Sequence, residues 1–110
     1  EHQLIQAMIA DSQAEAYAAR CMILNAARKR DAGEPVTMLA SCCKMFASEA
    51  VGRVADRAVH VFGGAGYVAD YGVERFFRDA RIFRLYEGTT QIQQIIIARE
   101  LSRAAKRGEI

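Results

Sequence analysis

The chain has 110 residues, of which 52% are hydrophobic, and it contains no tryptophan. This length allows one compact domain that buries roughly two-thirds of its unfolded surface, and it leaves no room for a second core. With 15 basic and 13 acidic residues the net charge is only +2, so the broad basic surface that binds nucleic acid or anionic membranes is not expected.

The first half of the chain predicts two long helices. Apolar residues recur at helical spacing from Glu1 to the basic residues 28–30, and no N-cap signal precedes them, which suggests that the sequence is part of a longer protein. Gly33 predicts the end of this helix. Thr37 is the predicted N-cap of the second helix, which is expected to end near Phe62.

A short third helix is predicted at residues 73–83, after a glycine-rich loop. The four-residue helical spacing would let Glu74 pair with Arg78 and Arg75 with Asp79. We expect these pairs to support the helix rather than to perform chemistry.

The last helix is predicted to begin near Thr90, and its apolar residues fall on more than one face. Ile95, Ile96 and Ile97 are consecutive, so their side chains point in different directions and a small bundle cannot cover all of them. We therefore expect the chain to self-associate. A single monomeric mass in light scattering at high micromolar concentration would contradict this expectation.

Four helical segments with short connections, and no strand alternation, predict an all-α fold for residues 1–110, namely an up-and-down four-helix bundle. Cys21, Cys42 and Cys43 lie in apolar helical stretches without the spacing of metal ligands, so we interpret them as reduced residues in or near the core. They are typical of an intracellular, reducing compartment. With no apolar run of bilayer length and no signal-peptide pattern, we expect a soluble protein with no metal site.

The tetrapeptide Glu87-Gly88-Thr89-Thr90 is the first candidate site. Glycine lets the backbone turn, and Thr90 with Gln93 has the capping-box pattern of a helix start. This places Glu87 immediately outside the N-terminus of the last helix. From the residues alone, the more common explanation is a surface charge that stabilises the positive end of the helix dipole.

The glycines at positions 63, 64 and 66 form the second candidate site. They would let the backbone approach a ligand closely, and exposed N–H groups in such a turn can bind phosphate oxygens. A helix C-cap followed by a plain turn explains two of the three glycines, and the residues alone favour this alternative. The segment is not a dinucleotide-binding fingerprint, because a helix rather than a strand precedes it.

Residues 59–102 resemble the C-terminal helical domain of the acyl-CoA dehydrogenase family. The resemblance is carried by GGAGY with DYGVERFFRDARI, and then by LYEGTTQIQ with IAREL, in the same order. The earlier part of the chain resembles the family more loosely. The resemblance implies a four-helix bundle that follows an N-terminal helical domain and a central β-domain in the whole enzyme.

In this family, FAD-dependent enzymes oxidise an acyl-CoA thioester to the trans-2-enoyl-CoA. The resemblance implies that Glu87 is the general base that removes the α-proton. Leu85, Tyr86 and Gly88 flank it and match positions near the acyl pocket or the CoA passage. Because the neighbouring domains supply most contacts, the isolated chain is expected to be inactive.

The resemblance also implies contacts with FAD. Thr89 and Gln91 match positions that contact the cofactor at the start of the last helix, and Gly64 matches a contact with the FAD of a neighbouring subunit. His60 stands where the family commonly has glutamine, and it can still form a hydrogen bond. Gly72 stands where the family often has proline.

The resemblance further implies a homodimer or homotetramer, with electron-transferring flavoprotein as the usual electron acceptor. The enzyme is expected in the cytoplasm, or in the mitochondrial matrix of a eukaryote. Two alternatives remain open from the sequence, namely a related acyl-CoA oxidase and a helical assembly module without catalytic activity.

Overall fold

A computed structural model describes residues 2–110. The helices are α1 (Gln3–Asp31), α2 (Thr37–Phe62), α3 (Gly64–Tyr67), α4 (Val73–Arg81) and α5 (Thr90–Lys106), with 3-10 turns at Ala69–Tyr71 and Ile82–Arg84. The described part of the chain contains no strand. The predicted all-α four-helix bundle is confirmed, with α3 as an additional single turn. The predicted start of the first helix at Glu1 lies outside the described residues.

The bundle is organised around α2. Helices α1, α4 and α5 all pack against it. Four residues of α2 are buried, and all of them are small: Ser41, Ser48, Ala50 and Ala55. Small side chains let the neighbouring helices approach the α2 backbone closely, so α2 is the scaffold that positions α1, α4 and α5.

The domain is thinner than its length predicts. Its accessible surface is 7963 Å², whereas a compact protein of 12.2 kDa exposes about 6,100 Å². Its radius of gyration is 17.1 Å, compared with about 13 Å for a compact chain of this length. The expectation that two-thirds of the unfolded surface would be buried is therefore wrong. The buried share is about 55%, because the helices surround α2 in a shallow layer.

Much of the exposed surface is apolar. Helix α1 has no buried residue, and its Leu4 side chain is 79% exposed. On α5, Ile95 is 62% exposed, and Ile92 and Leu101 are also exposed, which confirms that the bundle does not cover every face of this helix. Within residues 2–110, no helix is both long enough and apolar enough to cross a bilayer.

Several local predictions need correction. Thr37 is the first residue of α2 rather than its cap, because Val36 occupies the N-cap position and no side chain caps the helix. Glu74 and Arg78 lie 3.8 Å apart, but no ion pair joins Arg75 to Asp79 in the described chain. Both of these side chains are exposed, and water competes effectively with such pairs.

The cysteines are free, as expected. Cys42 and Cys43 are half-buried on α2, whereas Cys21 is exposed. The prediction that all three lie in or near the core is wrong for Cys21, because α1 packs mainly against α2 and has no buried residue.

Candidate functional site

Residues 83–90, here called the 83–90 segment, connect the 3-10 turn Ile82–Arg84 to α5. Glu87 has φ 52°, and it is the only non-glycine residue with positive φ in the described chain. Gly88 follows with φ 90°. Two consecutive residues in left-handed conformation reverse the chain sharply, and for a residue with a Cβ this costs about 1–2 kcal/mol. Such strain persists only where surrounding contacts fix the backbone.

The backbone conformation of Gly88, with φ 90°, favours glycine. A Cβ at this residue would lie 2.7 Å from Nε2 of Gln93. Gln93 is buried on the first turn of α5, and its Nε2 donates to the carbonyl of Gly88 at 3.5 Å. Glycine at this position therefore permits the left-handed conformation that precedes α5.

Thr89 is the N-cap of α5. Its hydroxyl accepts a hydrogen bond from the backbone N–H of Ile92 at 3.2 Å. The prediction that Thr90 caps this helix is wrong by one residue, because the Thr90 hydroxyl donates instead to Oε1 of Glu49 at 2.7 Å. The N–H groups of Thr90 and Gln91 have no acceptor within residues 2–110, as is usual for the first turn of a helix.

Two side chains of α2 hold the 83–90 segment. Nζ of Lys44 donates to the carbonyls of Phe83 at 2.7 Å and of Gly88 at 2.6 Å. Glu49 accepts from the hydroxyl of Thr90, and its other oxygen lies 3.4 Å from Nη1 of Arg84. Each of these α2 residues therefore contacts the segment on both sides of Glu87. The sequence interpretation did not identify them.

The carboxylate of Glu87 is free of internal partners. Within the described residues it makes no hydrogen bond and no ion pair, and its side chain is exposed. Leu85 and Tyr86, which precede it, are also exposed, and the Tyr86 ring lies 5.9 Å from that of Phe83. The structure thus brings together the predicted site residues of this segment. The exposed Glu87 carboxylate is preceded by the apolar side chains of Leu85 and Tyr86, and it is followed by Gly88, Thr89 and Gln91 at the start of α5.

Residues 63–67, here called the glycine turn, form a helical turn instead of the predicted loop. Gly63 ends α2 with φ 65°. Gly66 is buried, and a Cβ there would lie 2.5 Å from the carbonyl oxygen of Val59. A Cβ at Gly64 would meet no atom within 4 Å. Gly63 and Gly66 are therefore explained by the fold, whereas Gly64 has no such structural requirement.

His60 lies on the last turn of α2 with an exposed side chain. Its Nδ1 is 3.2 Å from the carbonyl oxygen of Asp56 and 3.9 Å from the Asp56 carboxylate. His60 is 16 residues beyond Lys44 on α2, which corresponds to about 24 Å along the helix axis. The chain therefore separates the predicted contacts at His60 and Gly64 from those around Glu87.

A cavity of about 890 Å³ opens beside the glycine turn rather than beside Glu87. It is lined by Asp56, Val59, Gly66, Tyr67, Ala69, Glu74, Phe77, Arg78 and Arg81. Within residues 2–110, no group of three or more His, Cys, Asp or Glu side chains could hold a metal ion.

Comparison with known proteins identifies close relatives. Residues 1–102 match the family model described as acyl-CoA dehydrogenase, C-terminal domain. Cyclohexane-1-carbonyl-CoA dehydrogenase of Geobacter metallireducens is 50% identical over 105 residues, which are 96% of this chain and 28% of that protein.

Two solved structures share the fold. A chain from a study of the electron transferring flavoprotein of Acidaminococcus fermentans superposes with a TM-score of 0.89 at 40% identity, over 92% of this chain and 27% of that one. The FAD complex of PigA superposes with a TM-score of 0.88 at 29% identity, over 91% of this chain and 26% of that one.

The chain thus spans about a quarter of the length of the relatives that it matches. The match to the family model includes both the glycine turn and the 83–90 segment. The chain belongs to the acyl-CoA dehydrogenase family and corresponds to its C-terminal domain.

Proposed function

We propose that this chain is the C-terminal domain of a longer, FAD-dependent acyl-CoA dehydrogenase, and that Glu87 is the general base of that enzyme. The observation that carries the proposal is the presentation of Glu87, a strained, exposed carboxylate without an internal partner. A glutamate that served only as a surface charge would not require a left-handed backbone, which costs stability.

The proposed reaction is the α,β-dehydrogenation of an acyl-CoA thioester. The carboxylate of Glu87 takes the α-proton, the β-hydrogen leaves with its electron pair, and a trans double bond forms between the two carbons. When bound, FAD supplies the acceptor for the hydride. The product is the trans-2-enoyl-CoA.

The surroundings of Glu87 suit a base of this kind. The base must lie within hydrogen-bond reach of the proton, and loss of water around a carboxylate raises its pKa. Leu85 and Tyr86 provide an apolar border that an acyl chain would complete. The N–H of Glu87 has no acceptor within residues 2–110, so it can donate to the thioester oxygen as negative charge develops there.

The residues proposed to bind FAD fit an anionic cofactor. The N–H groups of Thr89 and Gln91 have no acceptor within residues 2–110, and they lie at the N-terminus of α5, where the helix dipole favours negative charge. The backbone at Gly64 is open to close approach. Following the family resemblance, we propose that the glycine turn, with Gly64 and His60, contacts the FAD of a neighbouring subunit.

Assembly and partners follow from the same proposal. The exposed apolar residues of α1 and α5 are suited to contacts with other domains and with further copies, in a homodimer or homotetramer. Electron-transferring flavoprotein is the proposed electron acceptor. The proposed location is the cytoplasm, or the mitochondrial matrix in a eukaryote.

The test is the Glu87→Gln variant of the full-length enzyme. We expect dehydrogenation of a panel of acyl-CoA substrates to fall about 10²- to 10⁴-fold, since a glutamine cannot accept the proton. FAD content should remain unchanged. Glu34→Gln is the matched control, because Glu34 is exposed and outside the 83–90 segment, and it should keep full activity. Normal dehydrogenation by Glu87→Gln would refute the proposal.

A further inference from the structure

We propose that Lys44 and Glu49 on α2 are positioning residues that fix the 83–90 segment and thereby set the location of the Glu87 carboxylate. This inference rests on the proposed function of Glu87. Neither residue is inferred to contact the substrate, and each acts through the backbone or the side chains of the segment.

Lys44 joins two carbonyl groups that lie on opposite sides of Glu87. Its ammonium donates to Phe83 at 2.7 Å and to Gly88 at 2.6 Å. An ammonium group has three donors and no acceptor, so it can satisfy both carbonyls at once. The two bonds fix the distance between the ends of the turn that carries Glu87.

Glu49 repeats this arrangement with side chains instead of carbonyls. It accepts a short hydrogen bond of 2.7 Å from Thr90 and lies 3.4 Å from the guanidinium of Arg84. The Arg84 guanidinium also packs against Gly52 of α2. A Cβ added at Gly52 would lie 3.4 Å from Cζ of Arg84. Contacts on both sides of the turn thus converge on one carboxylate, five residues beyond Lys44 on α2.

The conformation of the segment explains why it needs such contacts. Glu87 and Gly88 both have positive φ, and Glu87 would leave this region if the backbone were free to relax. No backbone hydrogen bond within residues 2–110 involves the N–H groups of residues 87–91. Apart from Gln93, which donates to the Gly88 carbonyl at 3.5 Å, the side chains that bond to this turn belong to α2. A shift of about 1 Å in a catalytic group can cost about 10²-fold in rate.

The experiment measures flavin reduction in a single turnover of the full-length holoenzyme, after rapid anaerobic mixing with acyl-CoA. In Lys44→Met we expect the rate constant for flavin reduction to fall about 10- to 100-fold. The half-saturating acyl-CoA concentration and the FAD content should change less than about twofold. Lys106→Met is the matched control, because Lys106 is exposed and distant in sequence, and it should behave as the unmodified enzyme.

A second variant covers the case in which Lys44→Met does not fold. Glu49→Gln keeps the shape of the side chain and an acceptor for Thr90, but it removes the charge that attracts Arg84. We expect a smaller fall in the rate constant, about three- to tenfold, because one of the two anchors remains.

The outcomes separate the alternatives. A residue that served folding alone would reduce the amplitude of flavin reduction at an unchanged rate constant, and that result would overturn the positioning role. Unchanged rate constants in both variants would overturn it as well, provided that Glu87→Gln is inactive. If Glu87→Gln itself remains active, the proposed function fails instead.

Discussion

The 83–90 segment and the glycine turn both lie beside α2, but different kinds of contact fix their backbones. Polar side chains of α2 hold the 83–90 segment from a distance of about forty residues in sequence. The glycine turn instead lies directly against α2, where the missing side chain of Gly66 lets two backbones meet. The 83–90 segment therefore depends on hydrogen bonds and charge, whereas the glycine turn depends on the small volume of Gly66.

The difference has a consequence for function. Anchoring by Lys44 and Glu49 uses carbonyls and side chains around Glu87, and it leaves the carboxylate itself free. Close packing at Gly66 leaves no such freedom for the turn, but it keeps Gly64 open on the outer side. A segment that presents a side chain and a segment that presents its backbone thus require different support.

The largest stability effect is expected in the glycine turn. Gly66→Ala places a Cβ 2.5 Å from the Val59 carbonyl oxygen, and neither backbone can move without separating α3 from α2. We expect the free energy of unfolding, measured by urea denaturation, to fall by about 3 kcal/mol.

Gly64→Ala is the matched control, because its Cβ would meet no atom within 4 Å. Its effect on stability should lie within about 0.5 kcal/mol. If FAD approaches Gly64 as proposed, this variant should instead weaken FAD binding in the full-length enzyme. Equal destabilisation by the two variants would contradict the prediction, because it would show that close packing at Gly66 does not stabilise the glycine turn.

The sequence predicted those features of the fold that depend on neighbouring residues. Helical periodicity and glycines located the ends of the long helices, and the start of α5 was correct because Gly88 and a threonine cap are local signals. The exposed position of Glu87 followed from the same signals.

Features that depend on tertiary contacts were not predictable in this way. Lys44 lies among small and apolar residues of α2, and nothing local indicates that its partners are the carbonyls of Phe83 and Gly88. The capping role passed from Thr90 to Thr89 because Glu49 engages the Thr90 hydroxyl. The thin shape of the domain was also missed, because periodicity shows which face is apolar but not whether this chain covers it.

An intermediate effect is expected from the strain at Glu87. In Glu87→Gly the left-handed conformation no longer carries a Cβ penalty, so the free energy of unfolding should rise by about 1 kcal/mol. The same variant should lose dehydrogenase activity in the full-length enzyme. Urea denaturation and an acyl-CoA assay measure the two effects separately.

Glu87→Ala is the control for this prediction, because it removes the carboxylate but keeps the Cβ and therefore the strain. It should lose activity without the gain in stability. If Glu87→Gly and Glu87→Ala have equal free energies of unfolding, the backbone at Glu87 is not strained. The 83–90 segment would then not differ from the glycine turn in this respect.

The smallest effect is expected at the partly buried ion pairs that Glu15 of α1 forms with Arg53 and Arg57 of α2, a third kind of anchor. Hydrogen bonds from Arg57 hold the pKa of Glu15 below its ordinary value of 4.5, and Arg53 acts in the same direction against partial desolvation. A carboxylate with a lowered folded-state pKa stabilises the fold above the unfolded pKa, and this stabilisation is lost as the pH falls through the folded value.

Glu15→Gln should therefore lower the free energy of unfolding at pH 7, and the difference from the unmodified chain should shrink as the pH falls below 4.5. Urea denaturation at a series of pH values measures this difference, with Glu34→Gln as the control. A difference that stays constant down to pH 2 would show that Glu15 acts by packing rather than by charge. In that case α1, like the glycine turn, would be attached to α2 by close packing. Attachment by polar side chains would then be limited to the 83–90 segment.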